Sequence, residues 1–308
     1  MGIDLNNSQP YFLSALIGTS LIETLSSRHK NLIFLKKNGV TKEEIAELIA
    51  SNSGKDKYQA PDHYNIDDLL DRAPIIIDNP IVQRKVNDKI VLVSGAAGSI
   101  GSEISRQLSL YACKLIVLID QAESPLYDLQ QELIQKGVTN FVAIVSDVRD
   151  KHKMSRIFKK YKPERVFHAA AYKHVPLMEK SPYEAIKVNV LGTKNLVDLS
   201  IENEIERFVM VSTDKAVNPT NVMGASKRIA ELYISCASKQ SEKTKFTTTR
   251  FGNVLGSNGS VIPLFKRQID NGGPLTVTHK DITRYFMTIP EACSLVLEAG
   301  TMGKGGEI

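Results

Sequence analysis

The chain has 308 residues, 42% of them apolar and 24% charged, the proportions of a globular protein able to bury a core, which exclude a disordered or fibrous chain. Its formal net charge of +5 suits an anionic ligand, and with no basic tract interleaved with aromatics it predicts no nucleic-acid partner. The three cysteines, Cys113, Cys236 and Cys293, form no CxxC pair and read as buried small hydrophobes in a reducing cytoplasm, while the six histidines fall in no metal-ligand spacing, so no catalytic metal is expected.

Near the start, Leu13, Leu16, Ile17, Leu21 and Leu25 recur at three- and four-residue steps on one helix face. The run Tyr11–Leu25 is broken by Ser14, Thr19, Ser20 and Glu23. It is too short and polar to span a bilayer and has no basic leader or small-residue cleavage site, so a cytoplasmic protein without a membrane span is expected. Thr41 and Glu44 have capping-box spacing before Ile45, Leu48 and Ile49, and Gly54 follows. Residues 1–60 therefore read as a helical appendage. Residues 61–88 read as a linker, with a short helix at Asn65–Arg72 and an extended connector from Ala73 to Asp88.

From Lys89 the pattern changes. Short apolar runs (Ile90–Val93, Leu115–Ile119, Val142–Val145, Val166–Phe167, Phe208–Val211) alternate with longer amphipathic stretches. Such spacing predicts βαβ units and an α/β domain over 89–308, a doubly wound parallel sheet covered on both faces, with a small substrate-binding portion mainly from 253–308. Ser124-Pro125 and Ser181-Pro182 each read as a helix N-cap followed by proline at the first helical position.

Gly95, Gly98 and Gly101 follow the first strand and open a helix near Ser99, with Ala97 and Ile100 in the same turn. Glycine there permits a tight turn and close backbone approach to a pyrophosphate, at a helix N-terminus that favours anions. The next strand ends in Asp120, placed to accept hydrogen bonds from ribose hydroxyls and to repel a 2′-phosphate, so the turn predicts a Rossmann-type dinucleotide site holding NAD, with NADP the alternative. Asp147 ends the third strand and either accepts from the adenine amino group or caps the helix before Arg149. Val148, Ala169, Ala170 and Ala171 are assigned to the same cofactor site.

Four further segments accompany the Gly-x-x-Gly-x-x-Gly spacing: His168-Ala-Ala-Ala-Tyr-Lys-His-Val-Pro-Leu-Met-Glu179, Asn189 within Val-Asn-Val-Leu-Gly-Thr, Ser212-Thr-Asp-Lys-Ala-Val-Asn-Pro219, and Arg250-Phe-Gly-Asn-Val-Leu-Gly-Ser257. Together they resemble the UDP-N-acetylglucosamine 4,6-dehydratases of polysaccharide biosynthesis, members of the extended short-chain dehydrogenases, from about Asp68 onward. The resemblance implies a nicotinamide cofactor held tightly and recycled. Sugar C4 is oxidised, the C5 proton and C6 hydroxyl are lost as water, and C6 is reduced. It also implies a UDP-sugar substrate and a homo-oligomer, dimer or hexamer, in which residues 1–60 either mediate assembly or pack as an appendage.

By the same resemblance Asp214 is the acid toward O6 and Lys215 the base at C5; a bland reading makes them an exposed pair on a turn. The usual Tyr-x-x-x-Lys becomes Met223-Gly-Ala-Ser-Lys227 here. Lys227 can hold the nicotinamide ribose, but Met223 transfers no proton. The base for the 4-hydroxyl is then unassigned, with Asp214 or Lys215 acting twice through Thr213 or water as candidates. Asn189 orders a water or fixes the Lys227 loop. Lys173 and His174 face cofactor or sugar, or are ordinary loop residues. Asn253, Ser260, Val261 and Lys266 lie where the family holds UDP, Arg284 is expected to clamp the diphosphate, and Arg250 contacts the ligand or merely pins a strand end. The competing readings are an epimerase or reductase on the same scaffold, which would keep the tyrosine, and a non-catalytic cofactor-binding member.

Overall fold

The computed structural model describes residues 80–257, 259–271, 274, 276–277 and 284–308. The helices and linker expected before residue 80 lie outside the described residues. The chain divides into two compact units, Ile75–Leu275 with Tyr285–Ile308 and Met1–Pro74 with Thr276–Arg284; the first is described below.

Six strands, β1 (Ile90–Ser94), β2 (Leu115–Asp120), β3 (Phe141–Val145), β4 (Arg165–His168), β5 (Arg207–Thr213) and β6 (Lys245–Phe251), form one parallel sheet in the order β3-β2-β1-β4-β5-β6. Strand order turns back between β1 and β4, which pair directly, Val93 with Phe167 and Ser94 with His168. In such sheets ligands bind at the carboxyl ends of the strands beside that reversal. The expected doubly wound parallel sheet is the fold found.

The apolar runs are continuous because successive side chains of a strand enter opposite cores. Val91, Val93, Ile116, Leu118, Phe167 and Val209 point into one core, with Ile104 and Leu108 of α2 (Ser99–Ser109) and Leu126, Leu129 and Leu133 of α3 (Glu123–Gln135). Leu92, Val117, Ile119, Val166, Phe208 and Met210 point into the other. That face is covered by Met154, Ile157 and Phe158 of α4 (Lys151–Tyr161), Leu196 and Leu199 of α7 (Thr193–Glu202), and Ala230 and Ile234 of α8 (Val222–Gln240). Short helices α5 (Val175–Lys180) and α6 (Pro182–Ala185) and a π-helical turn, Ile186–Gly192, lead into α7. The chain closes with β7 (Asn253–Val254), α9 (Val261–Asp270), β8 (Phe286–Met287) and α10 (Ile289–Met302).

Several expectations are corrected. The connector is not extended throughout, because Pro80–Val86 forms a helix, α1. Proline suits its first position, and Val82 and Val86, one turn apart, are buried in the first core. Helix α3 begins at Glu123 after Ala122 rather than after a Ser124 cap; the Asp120 carboxylate accepts from Ala122 N at 2.9 Å and turns the chain earlier. Ser181 does precede Pro182 at the start of α6, though no side-chain bond caps it. Cys113 and Cys293 are buried but Cys236 is exposed, on the outer face of α8. Strand β6 was not anticipated: its Thr247-Thr-Thr249 run is β-branched rather than apolar, and Thr247 and Thr248 are nevertheless buried. Helix α10 packs Cys293, Val296 and Leu297 into the first core beside α2.

Among these contacts, Phe208 is fully buried, 5.5 Å from Phe246 and 6.0 Å from His168 between ring centroids. Phe208→Ala should lower unfolding stability by about 3–5 kcal/mol, read as a fall in the urea midpoint; a change under about 1 kcal/mol would show that this core repacks freely.

Candidate functional site

Leaving β1, the chain enters a left-handed turn at Gly95 (φ 71°). A Cβ there would stand 2.5 Å from Ala170 N and 2.7 Å from the Ala169 carbonyl carbon, so the backbones following β1 and β4 touch where the sheet order reverses. A Cβ at Gly101 would likewise collide with the Gly95 carbonyl, so both glycines are required for α2 to lie on this turn. Helix α2 starts after Gly98 with no side-chain cap, an arrangement an anion completes.

Two carboxylates border the turn. Asp120 accepts from Ala97 N and Ala122 N, both at 2.9 Å, tying the end of β2 to the glycine turn. Asp147 accepts from Arg149 N and Nε, both at 2.8 Å, and Arg149 also reaches Glu184 at 2.9 Å. Burial opposes ionisation of Asp147, but the Arg149 hydrogen bonds and charge outweigh it and hold the carboxyl below its ordinary range. Asp147 is not the helix cap: Asp150 caps α4, accepting from Lys153 N. The cleft so enclosed has a volume of about 230 Å³ and is lined by Gly95, Ala97, Gly98, Asp120, Asp147, Val148 and Ala169–Ala171, all predicted positions. Its wall also includes Gln121, Ser146, Tyr172 and Val188, which sequence reasoning did not single out. Ser99, Ile100, Gly101, Lys173, Asn189 and Lys227 are not in that wall.

Beneath it runs a buried polar chain. Thr193 Oγ1 donates to the Asn189 carbonyl at 2.7 Å, so it accepts from His168 Nε2–H at 2.9 Å, leaving His168 Nδ1 to accept from Ser94 Oγ at 2.8 Å. Burial and the Lys227 charge push His168 down to about 3, so the ring stays neutral. Asn189, fully buried in the π-helical turn, accepts from Tyr172 N and donates to Tyr172 O and Ser226 Oγ. It thereby joins the loop after β4 to α8, one residue before Lys227.

At the carboxyl end of β5, Thr213 Oγ1 donates to Asp214 Oδ1 at 2.8 Å and Lys215 Nζ contacts the same oxygen at 3.0 Å. Burial of Asp214 favours its neutral form, but hydrogen bonds from Lys215 and Thr213 and the Lys215 charge prevail, and the carboxyl lies below the usual range. Helix α8 packs close by: a Cβ at Gly224 would run into the Lys215 carbonyl. Lys227 is buried, its Nζ donates to Val211 O at 2.7 Å, and burial lowers it to about 8, with Glu231 opposing. Met223 is 3% exposed, packed with Met178 and Ala185 and flanked by Tyr172 and Val175.

The remaining predicted positions are less concentrated. Lys173 Nζ donates to Ser257 Oγ at 3.4 Å, and the His174 ring lies against Gly259. Asn253 bonds through its backbone to Tyr285 O, Ser260 Oγ is buried without a hydrogen-bond partner among the described residues, Val261 begins α9, and Lys266 is exposed on that helix. Arg284 belongs to the other compact unit. Arg250 does pin a strand end, gripping Glu231 with two nitrogens at 2.8 and 2.5 Å. Glu231 was missed; its trace in the sequence is a carboxylate one helical turn after Lys227 on the same face. Among the described residues no His, Cys, Asp or Glu group converges as a metal site, and no helix is long and apolar enough to cross a membrane.

Over residues 91–308 the chain matches the family model described as polysaccharide biosynthesis protein. The chain belongs to that family. It is 52% identical over 245 residues to the capsular polysaccharide biosynthesis protein CapD of Staphylococcus aureus, covering 79% of this chain and 41% of that protein. It is 34% identical over 226 residues to the UDP-N-acetylglucosamine 4,6-dehydratase (inverting) of Campylobacter jejuni, 72% of this chain and 66% of that one. Identity to the UDP-glucose 4-epimerase of Rickettsia canadensis is 38% over 227 residues, 72% of this chain and 65% of the epimerase. Among solved structures, Pen from Bacillus thuringiensis matches with a TM-score of 0.68 at 37% identity, covering 72% of this chain and 67% of that one. The chain thus spans about 41% of the length of CapD, and the polysaccharide-biosynthesis relatives that it resembles include named nucleotide-sugar dehydratases and epimerases.

Gly95→Ala should cost at least about 1–3 kcal/mol, since both the left-handed φ and the backbone contact oppose a methyl group. Thermal unfolding checks this, and an unchanged melting temperature would refute the close approach.

Proposed function

We propose that this chain is the core of a nucleotide-sugar 4,6-dehydratase that converts UDP-N-acetylglucosamine to a UDP-4-keto-6-deoxy sugar for surface-glycan synthesis, with NAD as its cofactor. The observation that carries this reading is the contact of Asp214 with Lys215 and Thr213 at the carboxyl end of β5. It joins an acid, a base and a hydroxyl, beside a helix that keeps Lys227 but has Met223 in place of a tyrosine. The named dehydratase relative supports the substrate class.

The residues present fit a dinucleotide, because the turn presents only Gly95, Ala97 and Gly98, with no bulky side chain, to the cleft and α2 opens without a side-chain cap. Gly95, Gly98, Asp120 and Asp147 would hold it. The lining contains two carboxylates and no Lys, Arg or His, which favours NAD, since no lining side chain is there to neutralise a 2′-phosphate. When bound, the nicotinamide supplies oxidation at sugar C4 and reduction at C6.

The chain's own groups move the protons. Asp214, ionised at rest, accepts the 4-hydroxyl proton by way of Thr213 Oγ1, which filling of the tyrosine position by Met223 leaves as the adjoining hydroxyl. That same proton then passes to O6, which departs as water. Lys215, after releasing its ammonium proton to solvent, takes the C5 hydrogen and returns a proton to C5 when C6 is reduced. The sugar loses one water and no net proton is taken up. Lys227, held at Val211 O, contributes positive charge beside the reacting end of the cleft.

A second reading, a 4-epimerase, is favoured by the 38% identity to a named epimerase. Incubation with UDP-N-acetylglucosamine separates the two by NMR: a new C6 methyl signal without net cofactor reduction supports the dehydratase, an altered ring configuration with the C6 hydroxyl kept supports the epimerase. Lys215→Ala should abolish entry of solvent deuterium at C5 while UDP affinity stays within about twofold, and Asp214→Asn should lower turnover by about 10²–10⁴; retained exchange in Lys215→Ala would overturn the assignment. Asp120→Asn should shift the NADP-to-NAD affinity ratio upward by about tenfold or more, one lost unfavourable charge contact being about 1.4 kcal/mol; an unchanged ratio would count against Asp120 as discriminator.

A further inference from the structure

Among the described residues, Glu231 is the most heavily engaged buried carboxylate at the carboxyl end of the sheet. Its side chain is fully buried and takes four hydrogen bonds. Ser212 Oγ donates to Oε1 at 2.6 Å and Arg250 Nε to the same oxygen at 2.8 Å, while Arg250 Nη2 donates to Oε2 at 2.5 Å and Arg228 Nη1 to it at 3.2 Å. A buried charge persists only where partners replace its lost water, and those partners come from defined places. Ser212 and Arg250 face each other in the β5–β6 register. Ser212 directly precedes Thr213 and Asp214.

The second half of the arrangement is Lys227, one turn earlier on α8, whose Nζ holds the carbonyl of Val211, the residue before Ser212. Two side chains four residues apart on one helix face therefore grip two consecutive residues of β5. The strand ends one residue later, and the turn carrying Asp214 and Lys215 follows directly, with its Ala216 buried and its Lys215 carbonyl against Gly224 of α8.

We propose that Glu231 is a positioning residue of the acid–base site: with Lys227 it clasps the end of β5 so that Thr213, Asp214 and Lys215 stand in a fixed register toward the cofactor cleft. The proposal rests on the dehydratase reading for the chemistry it positions, though not for the clasp itself. Glu231 also supplies the counter-charge of Lys227. The groups that interact with the Lys227 charge are neutral His168 from β4 and Glu231 from its own helix; Arg228 and Arg250 are spent on Glu231, and Asp214 and Lys215 pair with each other. Burial holds Lys227 at about 8 with Glu231 opposing the fall, so loss of that carboxylate lets the ammonium lose its proton at lower pH.

The test compares Glu231→Gln, Glu231→Asp and the unaltered protein by two measurements. One is the NMR titration of the Lys227 side chain in isotope-labelled protein without substrate, the signal identified by its absence in Lys227→Arg. The other is turnover of UDP-N-acetylglucosamine alongside the affinities for UDP and NAD. Glu231→Gln is expected to move the Lys227 midpoint down by about one pH unit and to lower kcat at least about tenfold, with both affinities within about twofold. Glu231→Asp keeps the charge but shortens the reach, so the midpoint should hold while kcat still falls. An unmoved midpoint in Glu231→Gln, or kcat within about twofold of the unaltered protein in both variants, overturns the proposal, as does a fall in affinity matching the fall in kcat. If the unaltered protein forms no product, the dehydratase reading fails, and the titration still decides the clasp. If Glu231→Gln does not fold, Glu231→Asp decides it through the kcat-against-affinity comparison.

Discussion

Where the sheet order reverses, the backbone leaving β1 lies directly against the backbone leaving β4, with Gly95 set against the amide of Ala170. No side chain fits between them. This approach draws the ends of β1 and β4 together, sets the first turn of α2 over the gap, and lets Asp120 reach back to the turn through Ala97 N. The cleft is a consequence of that contact, because its floor is the touching backbones and its walls are the strand ends on either side. A methyl group at Gly95 would thus disturb the sheet and the site together.

The polar groups under the cleft are buried and still satisfied. The chain from Ser94 through His168, Thr193 and Asn189 to Ser226 crosses from β1 to α8 with each donor finding an acceptor. Such a network resists rearrangement, since breaking one member strands another away from water. It depends on the π-helical turn at Ile186–Gly192, which presents Asn189 inward, and wide helical turns of this kind recur at functional sites. Neutral His168 suits its place here, a charged ring beside Lys227 being doubly unfavourable.

The pair proposed as acid and base has a different character. Asp214 and Lys215 are partly exposed, as reacting groups must be, and their placement is delegated to buried neighbours. Met223 contrasts with that pair: it is an apolar side chain sealed into a small cluster with Met178 and Ala185. In the proposed reaction, proton transfer would fall to the groups on the turn after β5, where Asp214 contacts the Thr213 hydroxyl and the Lys215 side chain.

Much was legible in the chain order alone. Apolar runs such as Ile90–Val93 and Leu115–Ile119 revealed strands buried on both faces, because strict alternation would have marked a one-sided sheet, and the glycine spacing with Asp120 located the cleft. Those features are local, set by period and by the steric needs of a few residues. Others depended on distant partners. Thr247–Thr249 became a strand because β5 lay alongside to pair with it; Val82 and Val86 became a helix face because a core was there to receive them; Asp120 displaced the cap that Ser124 was expected to form. Glu231 is the clearest case. On paper it is one more charge in a 19-residue helix, and only the convergence of Ser212 from β5 and Arg250 from β6 turns it into the buried node behind the site. Sequence periodicity reports which face of an element is apolar, whereas the worth of a buried charge is decided by partners that folding brings from other elements.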